Sequence, residues 1–410
     1  MKAGTIDDLL ALLRPGLRVF VQGATGEPAA FTAALAANPE VARGVDLWSC
    51  LVPGINTFDY GALANGPDFT TFMASPALEG SIASGRTTLR EMPYSAIGET
   101  LQAMQFDLVI LQVAPPDDHG RCSFGVACDT PALVWPNAKQ RAAFINPLMP
   151  RLPRADAIPA SAIDLAIPTD LPLLSPARAS PSSPILAEIA RIAARLVPDG
   201  AVFQSGIGEA PAAIAAALAN HRNLRIHSGI ITPDYRVLAE AGAMAGGGHL
   251  TGIAWGPPDF YDWLAASDLA RFAAIPETHG STAFTGIETF ISIGSALEVD
   301  LTGAINLGTR AGRRISSVGG APDYMRGAAS SRGGRSILAF PATARTASRI
   351  VARLSPDATS IPADLADTII TEHGAARIRR LSGEARANAL IAIAAPDHRA
   401  ALSDAWRTQS

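Results

Sequence analysis

Short apolar runs alternate with glycine turns and helical patterns along most of the chain. The clearest case is residues 201–229, which begin with an apolar run, turn at residues 206–208 and continue as a helix starting near Pro211. A second apolar run follows at residues 224–226. An apolar run bounded by turn residues is typical of a buried strand, and proline is common at the start of a helix. The pattern therefore predicts a strand, a glycine turn, a helix and a parallel strand. The residues that follow those strands are expected at the ligand-binding edge of the sheet.

The same pattern occurs near the start of the chain. Residues 17–21 predict a buried strand, residues 23–26 a glycine turn and residues 28–35 a helix. The longest apolar run, Phe106–Val113, predicts another strand. It leads into a loop in which Asp118 and His119 are either acid–base groups or part of a turn stabilised by aspartate side chains. The repetition indicates two halves of related α/β construction.

The remaining elements are less regular. Residues 45–101 predict short strands and loops, and residues 138–145 predict a passage from helix to strand. A helix over residues 185–196 is expected to bury one apolar face. Further strands are predicted at residues 250–255, 290–293, 336–340, 348–354 and 369–371, and further helices at residues 382–390 and 397–402.

The length of the chain predicts two domains. A chain of 410 residues is too long for one ordinary hydrophobic core. The segment 168–184 is rich in proline and serine, which is typical of a linker. A boundary near Ser180 divides the chain into an N-terminal domain over residues 1–180 and a C-terminal domain over residues 181–410.

Composition and charge exclude several classes of function. Hydrophobic residues make up 48% of the chain, charged residues 17%, and the formal net charge is -4. A nucleic-acid partner is not expected, because basic residues are not in excess. No apolar run approaches the roughly 20 residues that cross a bilayer, and the first residues are acidic where a secretory signal is apolar. We therefore expect no membrane partner and a cytoplasmic location. The three cysteines lack the spacing of metal ligands, so reduced buried thiols and no metal are expected.

Several long motifs carry a family resemblance. The first half contains DLVILQVAPPDDHGRCSFG and AKQRAAFINPLMPR, and the second contains SGIGEAPAAIAAAL, SALEVDLTGAINLG, SVGGAPDYMRGA, SRGGRSILAFPATA and ITEHGAARIR. With these motifs the chain resembles the acetyl-CoA hydrolase/transferase family, the class I CoA-transferases, over nearly its whole length. The resemblance implies two related open α/β domains, an acyl-CoA site in the cleft between them and a homodimer or higher homo-oligomer. It implies coenzyme A, bound as acyl-CoA, as the only cofactor. The glycine turns expected to face it contain Gly206, Ile207, Gly208, Gly319 and Gly320.

The resemblance also implies a mechanism. In family members a glutamate attacks the thioester carbonyl, an anhydride forms, and a glutamyl-CoA thioester then passes CoA to a second carboxylate. A carboxylate is a poor nucleophile that becomes adequate when it is desolvated and aligned. Backbone N–H groups of the glycine turns are expected to stabilise the oxyanion.

This chain departs from the family pattern at the nucleophile. Where the family has His-Thr/Ser-Glu, the chain has His227, Ser228 and Gly229. Where the family has Ile-Asn-Ser, the chain has glycine at Gly294. The resemblance therefore implies that Gly229 replaces the catalytic glutamate and that an amide near the thioester oxygen is also missing.

Two residues remain as catalytic candidates. Glu209 is either a general base or substitute nucleophile, or an exposed carboxylate in the first turn of a helix. His227 either orients and deprotonates water or is a buried structural histidine. Glu298 and Asp300 are either pocket residues or residues of a sheet edge.

Without the glutamate, water is the natural acceptor of the acyl group, so we expect an acyl-CoA hydrolase. Three alternatives remain open at this point. They are hydrolytic carbon–carbon cleavage of a cyclic or β-keto acyl-CoA, CoA transfer through a substitute carboxylate, and a non-catalytic acyl-CoA-binding protein.

Overall fold

The computed structural model describes residues 1–175 and 183–409, and it divides them into two compact units. The first contains residues 1–175 together with His249–Thr278, and the second contains residues 183–248 and 279–409. The boundary predicted near Ser180 lies outside the described residues. The segment His249–Thr278, which a single boundary assigns to the second domain, packs with the first unit instead. Contacts within a fold, which composition does not reveal, decide this assignment.

The first unit is built on an eight-stranded sheet in which every neighbouring pair is parallel. Buried parallel strands read as continuous apolar runs, and Phe106–Val113 has the bounds that its sequence predicts. In spatial order the strands are Lys2–Ala3, Leu165–Pro168, Ala138–Ile145, Phe106–Val113, Arg18–Val21, Asp46–Ser49, Asp68–Thr71 and Thr87–Leu89.

Helices and short strands surround this sheet. The α-helices of the unit are Ile6–Leu10, Ala29–Ala37, Glu79–Ala83, Tyr94–Ala103, Pro131–Val134 and Pro258–Ser267. The short strands are Arg121–Ser123, Ala157–Pro159, Leu250–Thr251, Ile253–Ala254 and Arg271–Phe272. A further helix spans Ile275–His279.

Several predicted elements of this unit were wrong in type or length. Residues 45–101, predicted as short strands and loops, do contain three short strands of the parallel sheet, but they also contain the helix Glu79–Ala83 and most of the helix Tyr94–Ala103, which were not predicted. Ala138–Ile145 is strand throughout, because it pairs on both sides within the sheet. The single strand predicted over residues 250–255 is two short strands.

One buried carboxyl group of the first unit lies just after the glycine turn at residues 23–26. Glu27 is 5% exposed, and it accepts hydrogen bonds from Asn56 Nδ2 and Tyr60 Oη, both at 3.1 Å. Burial raises the pKa of Glu27 to about 7, against the smaller opposing effect of the two hydrogen bonds. This carboxyl group therefore titrates near neutral pH in the folded chain.

The second unit is built on a six-stranded sheet. Five strands are parallel and the last, which follows a tight turn, is antiparallel. In spatial order they are Arg225–Ile226, Val202–Ser205, Phe290–Gly294, Arg335–Ala339, Thr368–Thr371 and Gly374–Arg377. The helices are Pro184–Ala194, Glu209–Ala217, Pro233–Glu240, Ala321–Ser330, Gly383–Ala392 and Pro396–Gln409. Short strands are Ile230–Ile231, Glu298–Asp300, Ile305–Asn306, Thr309–Arg310, Arg313–Arg314, Thr343–Ala344, Ala347–Ser348 and Ile350–Val351.

The predictions for this unit hold for the five parallel strands of the sheet and fail at its margins, where the last strand, Gly374–Arg377, was not predicted. The strand predicted over residues 348–354 is reduced to Ile350–Val351 and the end of a hairpin. The helix Pro184–Ala194 buries one face, as predicted, with Leu186, Ile189, Ala190 and Ala193. Ile185, where the predicted helix begins, is 43% exposed and lies off that face. None of the helices in the described ranges is long and apolar enough to span a bilayer.

Candidate functional site

Two neighbouring parallel strands of the second unit end together. In their register Phe203 lies opposite Ile226. Tyr235 packs against this edge, because its ring stacks on Phe203 at 5.5 Å between centroids and its hydroxyl accepts a hydrogen bond from Ser205 N at 3.0 Å. The predicted order of strand, turn, helix and strand is therefore correct, and the residues after both strands share the carboxyl edge of the sheet.

The glycine turn after the first of these strands leads directly into a helix. Gly206 N–H donates to the carbonyl oxygen of Ile293 at 2.9 Å, which holds the turn against the next strand. Gly208 has a φ of +136°, a conformation that favours glycine, and Ile207 is 40% exposed. The helix Glu209–Ala217 begins at the next residue. A turn of this kind presents backbone N–H groups at a helix start, where an anion or oxyanion is stabilised.

Glu209 is the first residue of that helix, and its side chain is exposed. A carboxylate in the first turn is favoured by the helix dipole. The side chain therefore lacks the desolvation that a substitute nucleophile requires, while it lies next to the glycine turn where a base is expected.

The second predicted glycine turn has the same relation to a helix. Gly319 has a φ of +52°, and Gly320 immediately precedes the helix Ala321–Ser330. Both glycines are partly exposed. The two turns with which the resemblance associates CoA thus both lie at the starts of helices in the second unit.

The space beside Gly229 is occupied by two side chains that the sequence did not reveal. A Cβ atom added at Gly229 would lie 2.8 Å from Nε2 of His279, closer still to Cε1 of the same ring, and 3.0 Å from the hydroxyl oxygen of Tyr324. Ordinary carbon contacts begin near 3.4 Å. This position therefore accepts glycine and has no room for a glutamate side chain while both rings stay in place.

The same imidazole also fills the space beside Gly320. A Cβ atom added at Gly320 would lie 2.5 Å from Nε2 and 2.6 Å from Cδ2 of His279, and 3.1 Å from Cε2 of Tyr324. The His279 and Tyr324 rings are 4.6 Å apart between centroids. The imidazole is thus packed between two glycine backbones, one after a strand and one before a helix.

Burial controls the charge of both rings. The pKa of His279 is lowered to about 3 by burial and, to a smaller degree, by the charge of His227. The imidazole is therefore neutral at physiological pH. Burial also raises the pKa of Tyr324, so its hydroxyl stays protonated. No described residue makes a well-aligned hydrogen bond to that hydroxyl, although the backbone N–H of Gly229 lies close to it.

His227 lies in an aromatic environment. It is 5% exposed, and its ring centroid is 5.1 Å from that of Phe284 and 5.9 Å from that of Phe290. Its backbone N–H donates to the carbonyl oxygen of Phe203 at 3.0 Å, which continues the sheet pairing. This setting agrees with the structural alternative for His227, and the catalytic role stays a prediction.

The other polar residues singled out in the sequence have structural partners. Asp300 is 1% exposed and accepts hydrogen bonds from the backbone of Thr302, Ala304 and Leu354, which fixes a tight turn. Glu298 accepts a hydrogen bond from Asn306 Nδ2 at 2.7 Å.

The loop that holds Asp118 and His119 is a turn stabilised by a neighbouring aspartate. Asp117 Oδ1 accepts from the N–H groups of His119 at 3.0 Å and Arg121 at 2.8 Å. Both hydrogen bonds support the turn alternative for this loop.

His279 and Tyr324 were missed because they reach Gly229 only through folding. They lie 50 and 95 residues further along the chain, and His279 belongs to none of the motifs quoted above. The sequence offers only an indirect signal, the glycines at residues 229 and 320, because a glycine at the end of an element leaves room for a neighbouring side chain.

Comparison with known proteins agrees with the resemblance. Residues 256–406 match the acetyl-CoA hydrolase/transferase C-terminal domain family. The 4-hydroxybutyrate coenzyme A transferase of Clostridium kluyveri is 27% identical over 420 aligned positions, covering 99% of this chain and 97% of that protein. The succinyl-CoA:cyclohexane-1-carboxylate CoA transferase of Geobacter metallireducens is 30% identical, covering 72% of this chain and 70% of that protein.

Solved structures with the same fold cover the whole chain. RipA from Yersinia pestis superposes with a TM-score of 0.90 at 26% identity, over 100% of this chain and 97% of that one. The 4-hydroxybutyrate CoA-transferase from Porphyromonas gingivalis superposes with a TM-score of 0.82 at 27% identity, over 100% of this chain and 98% of that one. The predicted α/β fold class is confirmed, whereas the placement of the site in a cleft stays a prediction. By sequence and by fold, the chain belongs to the acetyl-CoA hydrolase/transferase family.

Proposed function

We propose that this enzyme hydrolyses acyl-CoA thioesters and transfers the acyl group to water rather than to a side chain of its own. The observation that carries the proposal is the packing at Gly229. His279 and Tyr324 occupy the space that a glutamate side chain at this position would need. A covalent glutamyl intermediate at residue 229 is therefore not expected.

The proposed reaction consists of an attack by water on the thioester and the departure of CoA. A water oxygen attacks the thioester carbonyl carbon, and the carbon–sulfur bond breaks to release CoA. The backbone N–H groups of Ile207 and Gly208 and those of the turn at residues 319–320 stabilise the oxyanion and hold CoA, while the N–H of Gly206 is engaged with the carbonyl oxygen of Ile293. Glu209 accepts the proton of the attacking water, and the thiolate of CoA takes up a proton as it leaves. His227 supports the strand end beneath aromatic rings.

The exposure of Glu209 supports a base rather than a nucleophile. A base in a first helical turn needs access to water, whereas a carboxylate nucleophile needs desolvation. CoA transfer through Glu209 is the second candidate, and it is favoured by the names of the curated relatives, which are CoA-transferases. The homo-oligomeric state implied by the resemblance is part of either proposal.

The test measures free thiol and acyl products with acetyl-, butyryl-, 4-hydroxybutyryl- and succinyl-CoA, with and without acetate as a second acceptor. Hydrolysis predicts one thiol per acid formed and no dependence on acetate. Turnover in ¹⁸O-labelled water labels only the product acid, whereas a glutamyl intermediate also labels a protein carboxylate. Acetate-dependent transfer with a labelled or hydroxylamine-trapped glutamate would contradict the proposal.

A matched pair of variants tests the base. Glu209→Gln is expected to lower kcat by about 100-fold, since general base catalysis contributes about 100-fold or more. Glu384→Gln is the control, because Glu384 is also an exposed first-turn glutamate, in the helix Gly383–Ala392. Its activity is expected to stay within about twofold of the parent enzyme. Full activity in Glu209→Gln would remove Glu209 from the mechanism without affecting the proposal of hydrolysis.

A further inference from the structure

A buried hydroxyl group beside Gly229 has no acceptor for its proton among the described residues. Tyr324 is 4% exposed, and its hydroxyl oxygen lies 3.0 Å from the point where a Cβ atom of residue 229 would stand. No described side chain or backbone group forms a well-aligned hydrogen bond with it. The backbone N–H of Gly229 lies close, but an N–H is itself a donor and cannot accept the phenolic proton. That proton is therefore available to a ligand.

The packing of the core does not account for this hydroxyl. Buried tyrosine hydroxyls usually have a hydrogen-bond partner, and Tyr235 at the same sheet edge follows the rule, because its hydroxyl accepts from the N–H of Ser205 at 3.0 Å. The ring of Tyr324 belongs to an apolar cluster with Phe284 and Phe290. A phenylalanine ring would make the same contacts. The hydroxyl is therefore better explained by a ligand than by the core.

The hydroxyl is held in one place by the packing of its ring. The ring centroid of Tyr324 lies 4.6 Å from that of His279 and 5.8 Å from that of Phe284. A Cβ atom added at Gly320 would lie 3.1 Å from Cε2 of Tyr324, so the ring also lies against the turn that precedes its own helix. A donor that is fixed in this way needs little reorganisation when negative charge develops beside it.

This donor lies near the edge of the sheet where a ligand is expected. Gly229 and Gly320 are the two glycines whose added Cβ atoms would meet Tyr324, and both are partly exposed. Gly229 follows the strand Arg225–Ile226, and ligands of open parallel sheets bind beyond the carboxyl ends of the strands. The hydroxyl therefore lies just beneath glycine backbone at this edge.

Both rings beside Gly229 are uncharged at physiological pH. Burial raises the pKa of Tyr324, so its hydroxyl keeps its proton, and burial lowers the pKa of His279 to about 3. A neutral donor suits an oxygen that becomes negative only in the transition state, and tyrosine side chains serve as donors in oxyanion sites.

We infer that Tyr324 is a catalytic residue of this chain and that its hydroxyl donates a hydrogen bond to the carbonyl oxygen of the thioester. The hydrogen bond strengthens as water attacks and the oxygen becomes negative, and it weakens when the carbon–sulfur bond breaks. The proton stays on Tyr324 throughout. This inference rests on the proposed function, because it adds a side-chain donor to the backbone N–H groups of the turn at residues 319–320.

The first test compares the kinetics of butyryl-CoA hydrolysis in the parent, Tyr324→Phe and Tyr261→Phe. Tyr261 is a matched control, because it is also 4% exposed but its hydroxyl accepts from Gly256 N at 3.2 Å and donates to the carbonyl oxygen of Leu174 at 3.0 Å. Tyr324→Phe is expected to lower kcat by about 100-fold and to keep KM within about threefold, since an oxyanion donor acts in the transition state. Tyr261→Phe is expected to lose stability in urea unfolding and to keep kcat within about twofold.

The second test does not depend on turnover. A butyryl-CoA analogue with a methylene group in place of the thioester sulfur keeps the carbonyl group and cannot be hydrolysed. With ¹³C at the carbonyl carbon, its stretching frequency in the bound state is measured by infrared difference spectroscopy. A hydrogen bond to the oxygen lowers this frequency. The frequency is therefore expected to be lower in the parent and in Tyr261→Phe than in Tyr324→Phe.

The outcomes separate this inference from the proposed function. An unchanged carbonyl frequency in Tyr324→Phe would overturn the inference even if kcat falls, because the loss of activity would then have another cause. An unchanged kcat in Tyr324→Phe beside an active parent would also overturn it and leave hydrolysis standing, and an analogue that does not bind the parent would overturn it as well. A higher frequency in Tyr324→Phe without any hydrolysis by the parent would support the inference and contradict the proposed function instead.

Discussion

The packing of His279 between two glycines makes a quantitative prediction about substitutions at Gly229. In Gly229→Ala the new Cβ atom lies 2.8 Å from His279 Nε2. The ring or the backbone must move by about 0.6 Å to restore a 3.4 Å contact, and more at Cε1. Both His279 and Tyr324 are buried, so neither ring has solvent to move into. We expect Gly229→Ala to lower the free energy of unfolding by about 1 to 3 kcal/mol, the usual cost of overpacking.

The double-mutant cycle with His279→Ala separates this crowding from any other effect of alanine. His279→Ala alone leaves a cavity and is expected to destabilise the chain by about 2 to 4 kcal/mol. In the double variant the added methyl group enters that cavity, so the part of the Gly229→Ala penalty that comes from His279 is expected to disappear, while the 3.0 Å approach to the Tyr324 hydroxyl remains. The coupling free energy is then about 1 to 3 kcal/mol in the stabilising direction, within the range for residues in direct contact.

Urea unfolding followed by tryptophan fluorescence measures all four proteins of this cycle. Gly246→Ala is the control, because a Cβ atom at Gly246 meets nothing within 4 Å. The reasoning about Gly229 is refuted if Gly229→Ala and Gly246→Ala are equally stable. Additive effects of Gly229→Ala and His279→Ala would refute it as well.

Three further predictions follow from buried polar groups. Tyr324→Phe is expected to change the free energy of unfolding by less than about 0.5 kcal/mol, because the Tyr324 hydroxyl lacks a well-aligned partner. Tyr235→Phe removes the acceptor of the Ser205 N–H and is expected to lower the free energy of unfolding by about 1 to 2 kcal/mol. Equal losses for the two variants in urea unfolding would contradict this expectation. The pKa of Glu27 is raised from 4.5 to about 7 on folding, so Glu27 favours the folded state less as pH rises through this window. The free energy of unfolding of Glu27→Gln, measured relative to that of the parent, is thus expected to rise by up to about 3 kcal/mol between pH 4.5 and 7.5. A difference between the two proteins that stays constant over this pH range in urea unfolding would contradict the raised pKa of Glu27. A thiol reagent is expected to leave the folded chain unmodified and to react with three thiols after unfolding, since the cysteines are all buried: Cys50, Cys122 and Cys128.

The longer apolar strands of both sheets were predictable because their signal is local. Runs such as Phe106–Val113 are apolar on both faces, as buried parallel strands require, and their bounds follow from composition alone. The strands within residues 45–101 are only three or four residues long. Their place in the sheet comes from pairing with distant strands, which local patterns do not encode.

The candidate site also contains some residues that the sequence predicts and others that it does not. The glycine turns and Gly229 were predictable because they lie in continuous motifs at the ends of strands and starts of helices. The neighbours of Gly229 were not, since His279 and Tyr324 come from helices far along the chain.

The packing changes what the glycine at residue 229 means for the chemistry. A simple loss of glutamate would leave a space that a restored glutamate could refill. Here the imidazole of His279 fills that space and also contacts Gly320, so residues 229, 279 and 320 behave as one packed unit. Gly229→Glu alone is therefore expected to be destabilised and to form no glutamyl-CoA. Gly229→Glu combined with His279→Ala opens most of this space, because the two shortest contacts of a Cβ atom at residue 229 are both to His279. Mass spectrometry after incubation with butyryl-CoA and borohydride is expected to detect a modified glutamate in that double variant only. A covalent adduct in the single variant would mean that His279 does not obstruct the position, and the central argument for hydrolysis would fail with it.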